Sequence, residues 1–196
     1  MNSLEKKRII TVFKYTWPFY LLGALLIGGA MYFIFGITHR VPSYKTMTLF
    51  VTGETKDTKM LKNDLTSKYE IKSFSCISAN PNDGNYNSKL SIAGYNSADI
   101  LILPVSKLND VVVSAFGLEL KEEIINEYYQ GYTLYQQEDI NYGIKLDKEK
   151  VSEYFSLPEE DCYMVLNGKS VNIGEYSSKQ IKEHDNALKI VKDWGN

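Results

Sequence analysis

The sequence predicts an α/β protein: one N-terminal transmembrane helix, followed by a single domain with a mixed sheet and helices on its faces. Three observations predict this class. An uncharged run of 22 residues lies near the start of the chain, at 16–37. Beyond it, strand-like and helix-like segments alternate to the C-terminus. The segment ADILILP, residues 98–104, is almost continuously apolar, which is typical of a strand buried on both faces of a parallel sheet.

The uncharged run favours a retained membrane anchor over two alternatives. A helix of this length spans about 33 Å, and the hydrocarbon core of a bilayer is about 30 Å thick. A buried helix of a small soluble domain rarely runs so far without a charge. A cleaved signal peptide would end in small residues, whereas this run ends in the bulky sequence MYFIFGI.

The charges beside the run predict its orientation. Lys6, Lys7, Arg8 and Lys14 precede it, and only Arg40 and Lys45 follow closely. The more basic side faces the cytoplasm, so the N-terminus is expected inside and the large domain outside the cell membrane. The predicted organisation is a cytoplasmic tail, a transmembrane helix, a stalk and an extracytoplasmic α/β domain, at residues 1–15, 16–37, 38–46 and 47–196.

Length and charge predict that the outer part of the chain is one folded domain that does not bind nucleic acid. Residues 41–196 carry 17 basic and 23 acidic side chains, a net charge of −6. Counterion release does not favour nucleic acid on such a surface, so no nucleic-acid partner is expected. Cys76 and Cys162 are the only cysteines, and we expect two buried thiols, although an extracytoplasmic location leaves a disulfide open.

The order of elements begins with a strand, a helix and a strand at residues 47–53, 56–69 and 70–79, the βαβ unit of a parallel sheet. A short helix within 88–97 and the buried strand 98–104 follow. The remaining predicted elements are helices at 106–116 and 120–129, strands at 131–136 and 140–146, a brief helix within 147–155, a strand at 162–168 and an amphipathic helix at 177–196.

No catalytic or metal-binding pattern is visible. His39 and His184 lie far along the chain from either cysteine, so no zinc site is predicted. The G-x-S-x-G, G-x-G-x-x-G and P-loop patterns do not occur. Glu123 and Glu127 share a helix face, but their spacing is that of a solvated side. We therefore expect no cofactor and no enzymatic activity.

Two places remain as candidate contact sites. In open α/β sheets, ligands bind beyond the carboxyl ends of the strands. This rule and the strand turns give as candidate ligand-binding residues Thr52, Gly53, Glu54, Ser106, Asn141 and Tyr142. Within the membrane helix, Ala24 and Gly28 form a small-xxx-small pair that would let another helix approach closely.

Several segments resemble one known family. MTLFVTG with LKNDLTSKY, then NSADILILP, NYGIKL and the closing segment from DCYMVLNG to VKDW are similar to one lobe of bacterial extracellular solute-binding proteins of ABC transporters, which have the type II periplasmic-binding-protein-like fold. The resemblance covers most of residues 46–194 in order. Complete members have two lobes that close on a ligand, whereas only a short segment here takes the place of the second lobe, and a transmembrane helix replaces the usual lipid anchor.

The resemblance and the anchor together imply a membrane-anchored extracytoplasmic binding or accessory protein that is not an enzyme. Its expected partners are the bilayer and a membrane protein, such as a transporter permease or a second copy of the chain, and a small-molecule ligand stays open. One alternative is an assembly protein that oligomerises through Ala24 and Gly28. Another is a hydrolase with an unfamiliar active site.

Overall fold

The computed structural model describes residues 3–38, 41–177 and 184–196. They belong to two compact units, Met1–Arg40 and Val41–Asn196. Parts of the predicted tail, stalk and closing helix, at residues 1–2, 39–40 and 178–183, lie outside the described residues.

The first unit is one helix, α1, Ser3–Thr38. Its segment Ile10–Gly36 is long and apolar enough to cross a membrane, and none of it is buried against protein. The helix begins well before the uncharged run, so Pro18 lies inside it and not in its first turn.

The second unit contains eight strands and six further helices among the described residues. In chain order they are β1 Thr46–Thr52, β2 Glu54–Thr55, α2 Thr58–Lys68, β3 Ser73–Ala79, α3 Tyr86–Lys89, β4 Ile100–Pro104, α4 Val105–Asn109, α5 Glu122–Tyr128, β5 Leu134–Gln137, β6 Ile140–Lys145, α6 Lys148–Val151, β7 Phe155–Ser156, β8 Cys162–Leu166 and α7 Asn186–Trp194. A π-helical turn, Leu90–Tyr95, continues directly from α3.

Six strands form one mixed sheet in the order β3-β1-β4-β8-β6-β5. β3, β1 and β4 are parallel, whereas β8 runs antiparallel between β4 and β6, and β5 runs antiparallel to β6. β2 and β7 pair separately as a short antiparallel ribbon. The predicted α/β class with a mixed sheet is confirmed.

The predicted βαβ unit is β1, α2 and β3. Asp57 ends the preceding turn, and its carboxylate accepts hydrogen bonds from the N–H groups of Lys59 and Met60, which begins α2. Leu61 and Leu65 are one helical turn apart and both are buried against the sheet. This amphipathic face holds the crossover between the two parallel strands.

Helices cover both faces of the sheet. On the first face lie α2, α5, α6 and α7, with buried side chains such as Leu61, Ile124 and Leu188. On the second face lie α3, the π-helical turn and α4, with Tyr86, Leu90 and Leu108 buried. Each fully buried Leu or Ile contributes about 1.5–3 kcal/mol, so the two cores are the main source of stability.

Two predicted helices are shorter than expected. The helix predicted over 106–116 ends at Asn109, and only a 3₁₀ turn at Val113–Ala115 follows. The side chain of Gln137 accepts a hydrogen bond from the N–H of Val113 and donates one to the carbonyl of Val111. These backbone groups are therefore satisfied without a helix. The closing helix is described only from Asn186 to Trp194.

A β-bulge between β5 and β6 changes the direction of one side chain. Tyr135 pairs with Gly143, but Gln136 pairs with Asn141, so Tyr142 is an extra residue in β6. Tyr142 consequently packs in the core of the second face, although Ile144, two residues later, packs in the first.

Candidate functional site

The carboxyl end of β1 holds the first three predicted ligand-binding residues, and it is closed by the chain itself. Thr52 is fully buried, and its hydroxyl shares a hydrogen bond of 2.7 Å with that of Tyr86. Gly53 has φ +143°, and a Cβ there would lie 2.4 Å from the carbonyl oxygen of Ser156. Glu54 begins β2, which pairs with β7. The β2–β7 ribbon therefore continues directly from this end of the sheet.

Ser106, the next predicted residue, lies just beyond the carboxyl end of β4 and already holds an anion from the protein. Its N–H and its hydroxyl donate to the two carboxylate oxygens of Glu160, at 3.0 and 2.7 Å. The ammonium of Lys148 fixes the loop that carries Glu160, because it donates to the carbonyl oxygens of Pro158, Glu159 and Glu160 at 2.6–2.7 Å.

Asn141 and Tyr142 lie near the other end of the sheet. Gly143 is level with Val165, and Val165 with Leu101, so the start of β6 is near the start of β4. The side-chain oxygen of Asn141 is buried and has no hydrogen-bond partner among the described residues. The structure thus brings Thr52, Gly53, Glu54 and Ser106 together at the carboxyl ends of β1 and β4. Asn141 and Tyr142 lie apart from them, near the amino ends.

A groove lies at the amino ends of β1 and β4. The predicted ligand-binding residues after β1 and β4 lie at the opposite, carboxyl ends of these strands. The polar compartment of the groove has a volume of about 340 Å³. The lining is rich in hydroxyl and amide side chains, namely Thr46, Thr48, Asn96, Ser97, Asn167 and Ser170, with Asp99 at the same place.

Asp99 organises this compartment. One carboxylate oxygen accepts from the N–H of Thr48 at 2.7 Å, and the other accepts from the Ser170 hydroxyl and from the Asn172 amide at 3.2 Å. Asn172 also donates to the carbonyl oxygen of Thr46 at 2.9 Å. A single buried carboxylate therefore joins the starts of β1 and β4 to the loop after β8.

An apolar compartment of about 350 Å³ adjoins the polar one. Tyr95 and Phe116 stack with ring centroids 4.1 Å apart, and Val111, Val112 and Ala115 complete the apolar lining. Val112 is 69% exposed. Tyr95 ends the π-helical turn, an element that is frequent at functional sites, and its carbonyl oxygen accepts from the Asn167 amide.

Lys169 and Asn96 line both compartments. The Lys169 side chain is exposed, and within 41–177 and 184–196 no hydrogen bond or ion pair is recorded for its ammonium. Asp99 is the other charged residue of the lining, and its oxygens are already engaged. Among the residues that the structure describes, the ammonium of Lys169 at the junction of the groove has no ion-pair partner.

Burial and hydrogen bonding set the protonation of the groove. Burial raises the pKa of Asp99, against the lowering effect of the hydrogen bonds from Ser170, Thr48 and Asn172. Burial also raises the pKa of Tyr95 to about 12, so its hydroxyl is neutral near pH 7. In the part of the chain that the structure describes, the groove offers hydrogen bonds, an aromatic surface and the ammonium of Lys169.

Nucleophilic and metal chemistry find little support in the part of the chain that the structure describes. It contains no cluster of three or more His, Cys, Asp or Glu side chains that would hold a metal ion. Cys76 and Cys162 are both free thiols. Burial raises the pKa of Cys162 to about 11, which disfavours the reactive thiolate.

The sequence contained a signal for the groove that the prediction did not use. Asp99 is a lone carboxylate at the start of a strand that is otherwise wholly apolar, and a buried carboxylate requires partners. Lys169 carries no comparable signal, because it follows Gly168 in an ordinary polar turn. Its importance comes only from the distant segments that meet beside it.

The candidate helix-contact residues lie on α1. Ala24 is exposed, and a Cβ placed on Gly28 would meet no atom within 4 Å. The small-xxx-small pair therefore lies on the described helix α1, with space beside Gly28 for a side chain.

Comparisons of the chain with protein-family models, curated proteins and solved structures found no match.

Proposed function

We propose that this chain is a single-pass membrane protein whose outer α/β domain binds a small amphipathic molecule with an acidic group, without catalysing a reaction on it. The observation that carries the proposal is the groove, in which polar and apolar compartments meet at Lys169. A molecule with an apolar portion against Tyr95 and Phe116 would bring its acidic group to this ammonium.

The size of the groove fits such a ligand. Each compartment lies within the range of about 300–1,000 Å³ that is usual for small-molecule sites. The stacked pair Tyr95 and Phe116 supplies a flat apolar surface, and Val111 and Val112 extend it. Ser97 and Thr48 supply hydrogen-bonding groups in the polar compartment, and Asn96 supplies one where the two compartments meet.

The absence of enzymatic activity is part of the proposal. Among the lining residues the titratable groups are Asp99, Lys169 and Tyr95. Asp99 already accepts three hydrogen bonds from the protein, so it is poorly placed to move a proton for a substrate. A binding role requires nothing beyond the groups that line the groove.

The membrane setting rests on α1 and on the basic residues at its start. We propose that Ile10–Gly36 crosses the cell membrane, with the N-terminus in the cytoplasm and the groove outside. A binding domain held there would present its ligand to a membrane partner such as a transporter permease.

The ligand experiment uses full-length protein in lipid nanodiscs, titrated calorimetrically with straight-chain carboxylates from acetate to octanoate. We expect affinity to increase with chain length. Lys169→Gln should weaken binding of octanoate about 1.4- to fivefold, since an exposed ion pair contributes about 0.2–1 kcal/mol. Val112→Ser should weaken it by a similar factor through lost apolar contact.

The control variants make the same two kinds of change in α2, which lies on the first face of the sheet and away from the groove. Lys62→Gln and Met60→Ser change an exposed cation and an exposed apolar residue of α2, and both should leave binding unchanged. Empty nanodiscs correct for partition into lipid, and octanamide tests the need for the acidic group. Heats that equal those of empty nanodiscs, or equal binding by Lys169→Gln and wild type, would refute the proposal.

The orientation has a separate experiment. In a Cys76→Ser, Cys162→Ser background, a cysteine at exposed Ser114 should react with a membrane-impermeant maleimide in intact cells. A cysteine at Glu5 should react only after lysis. The opposite pattern, or labelling of neither residue before lysis, would place the groove inside and remove this part of the proposal.

The assembly role is a second candidate, favoured by the open surface at Ala24 and Gly28. Since a side chain at Gly28 meets nothing within 4 Å, Gly28→Leu should block a helix–helix contact without disturbing the chain itself. Crosslinking in membranes that is lost in Gly28→Leu would support assembly through α1. The same variant should leave ligand binding in the groove intact.

A further inference from the structure

We infer that the outer edge of β3 is a pairing surface for a second copy of this chain, with the two β3 strands antiparallel about a two-fold axis at Cys76. The inference is independent of the groove and of α1. It comes from the backbone groups of β3 and from the residues that this edge lacks.

The hydrogen-bond pattern leaves half of the backbone groups of β3 facing outward. Ala79 pairs with Thr52, and its carbonyl oxygen accepts from the N–H of Gly53, so Ala79 faces β1. Alternate residues of a strand direct their backbone N–H and C=O groups to opposite sides. The backbone groups of Phe74, Cys76 and Ser78 therefore face away from β1. Within the described residues, no hydrogen bond to the N–H or carbonyl groups of these three residues is recorded. Three donors and three acceptors are thus available along one edge.

The sequence of β3 itself carries none of the residues that usually protect an edge strand. Its seven residues, SFSCISA, include no charge and no proline, and its register with β1 is unbroken. The other edge strand, β5, has four residues, pairs with β6 across a bulge and is followed by the charged turn Glu138–Asp139. Among the described residues, the two edge strands of the sheet therefore differ, because a short strand, a bulge and a charged turn occur at β5 and not at β3.

The outward groups of β3 are complementary to themselves. In an antiparallel pair centred on Cys76, Phe74 faces Ser78 of the copy and Cys76 faces Cys76 of the copy, so all six outward groups of each strand find partners. No charged residue lies within the paired strands. Just outside them, Lys72 would face Asn80 of the copy, so like charges are not brought together. The half-buried side chains of Phe74 and Ile77 would lose further exposed surface.

Cys76 lies on the proposed two-fold axis, so a disulfide between two copies of it would report the contact. Facing residues in a hydrogen-bonded antiparallel pair have Cα atoms about 5.5 Å apart, within the range of about 4.4–6.8 Å found for disulfides. The Cys76 thiol is half-buried and lies 3.5 Å from the Thr55 hydroxyl of its own copy, so crosslinking requires it to leave this contact. Copper phenanthroline then joins two Cys76 thiols, with copper accepting the two electrons and the two protons passing to solvent. Full-length Cys162→Ser protein in membranes should give a disulfide-linked dimer.

The decisive variants change one outward N–H. Ser78→Pro removes an N–H that bonds neither β1 nor any other described group, and proline is tolerated at such edge positions. Two hydrogen bonds are lost in each dimer, so the yield of dimer should fall at least about tenfold. Ser78→Ala keeps the N–H and should crosslink as before, and Gly28→Leu should also leave the yield unchanged.

The mass of uncrosslinked protein in detergent gives a second measurement, and the circular dichroism melting curve of Ser78→Pro checks its folding. A dimeric wild type and a folded, monomeric Ser78→Pro support the inference. A wild type that is monomeric by mass and does not crosslink through Cys76 overturns it. Crosslinking that survives Ser78→Pro but is lost in Gly28→Leu also overturns it, because the contact would then run through α1.

Discussion

The two ends of the parallel strands differ in what occupies them. At the carboxyl ends, the hydroxyl groups of Tyr86 and Thr52 share a hydrogen bond, and the carboxylate of Glu160 accepts hydrogen bonds from the N–H and the hydroxyl of Ser106. At the amino ends, Asp99 binds β1 and β4 together, and beside it a polar and an apolar compartment meet at Lys169. At the carboxyl ends, the protein's own polar groups satisfy the candidate donors. At the amino ends, the groove is open to solvent.

This difference shows how far a fold-level rule can direct the search for a site. Ligands of open α/β sheets bind beyond the carboxyl ends because helix N-termini and loops leave unpaired donors there. In this chain, Glu160 satisfies those donors from a loop 54 residues away in sequence. The rule identifies where donors arise, and the long-range contacts decide whether they stay available.

The largest effect is expected at the amino end, for Asp99→Ala. The change leaves the buried donors of Thr48, Ser170 and Asn172 without their shared acceptor, so the free energy of unfolding should fall by about 3–5 kcal/mol. Denaturant unfolding followed by Trp194 fluorescence in a Trp17→Phe background measures it. Ser97→Ala, an exposed neighbour, should change stability by less than about 0.5 kcal/mol. A loss below about 1 kcal/mol for Asp99→Ala would contradict a structural role of this network.

The next effect tests the carboxyl end, through Gly53→Ala. The positive φ of Gly53 and the short approach of the Ser156 carbonyl oxygen both oppose a side chain, so a loss of about 2–4 kcal/mol is expected. Gly131→Ala is the control, because Gly131 has φ +85° but no atom within 4 Å of a new Cβ. It should lose about 1 kcal/mol. Equal losses in the two variants would show that the contact with β7 does not matter.

Local patterns predicted the elements, but not all of their partners. The spacing of Leu61 and Leu65 and the apolar run of β4 were sufficient for the βαβ unit and the buried strand. The insertion of β8 between β4 and β6, antiparallel to both, depends on contacts about 60 residues apart along the chain for β4, which periodicity does not encode. Gln137 ended a predicted helix in the same way, by bonding backbone groups 24 and 26 residues away.

The candidate site was harder to predict than the fold. Thr52, Gly53 and Ser106 were chosen for their place after strands, and the structure places them at that edge. Whether they bind a ligand stays a prediction. Tyr86, Ser156 and Glu160 contact these residues in the structure, and a ligand would have to displace those contacts. The groove at the opposite edge combines the turn before β4, the 3₁₀ turn at Val113–Ala115 and the turn after β8, so no contiguous motif describes it.

A smaller effect is expected for Glu160→Ala. The variant removes the acceptor of both Ser106 donors, but Ser106 is exposed and water can replace the carboxylate, so the loss should be about 1 kcal/mol. Glu159→Ala is the matched control, since Glu159 contributes only its backbone carbonyl to the Lys148 contact. Thermal unfolding of the two variants side by side measures the difference. If Glu159→Ala loses as much stability as Glu160→Ala, the carboxylate does not close this edge.

The smallest effect is a dependence of stability on pH that belongs to Asp99. Burial raises the pKa of Asp99 above its value of about 3.9 in an unfolded chain, so the folded state holds the proton more tightly. The contribution of this group to stability is therefore full below about pH 4 and declines as the pH rises through the folded-state pKa. Asp99→Asn cannot titrate, so the unfolding free energy of wild type minus that of Asp99→Asn should decrease from about pH 4 towards about pH 7. Denaturant unfolding of both proteins at a series of pH values gives this difference and cancels the groups they share. A difference that increases with pH would show that the hydrogen bonds from Thr48, Ser170 and Asn172 outweigh burial, and a constant difference would show that the two effects cancel; either result contradicts the prediction.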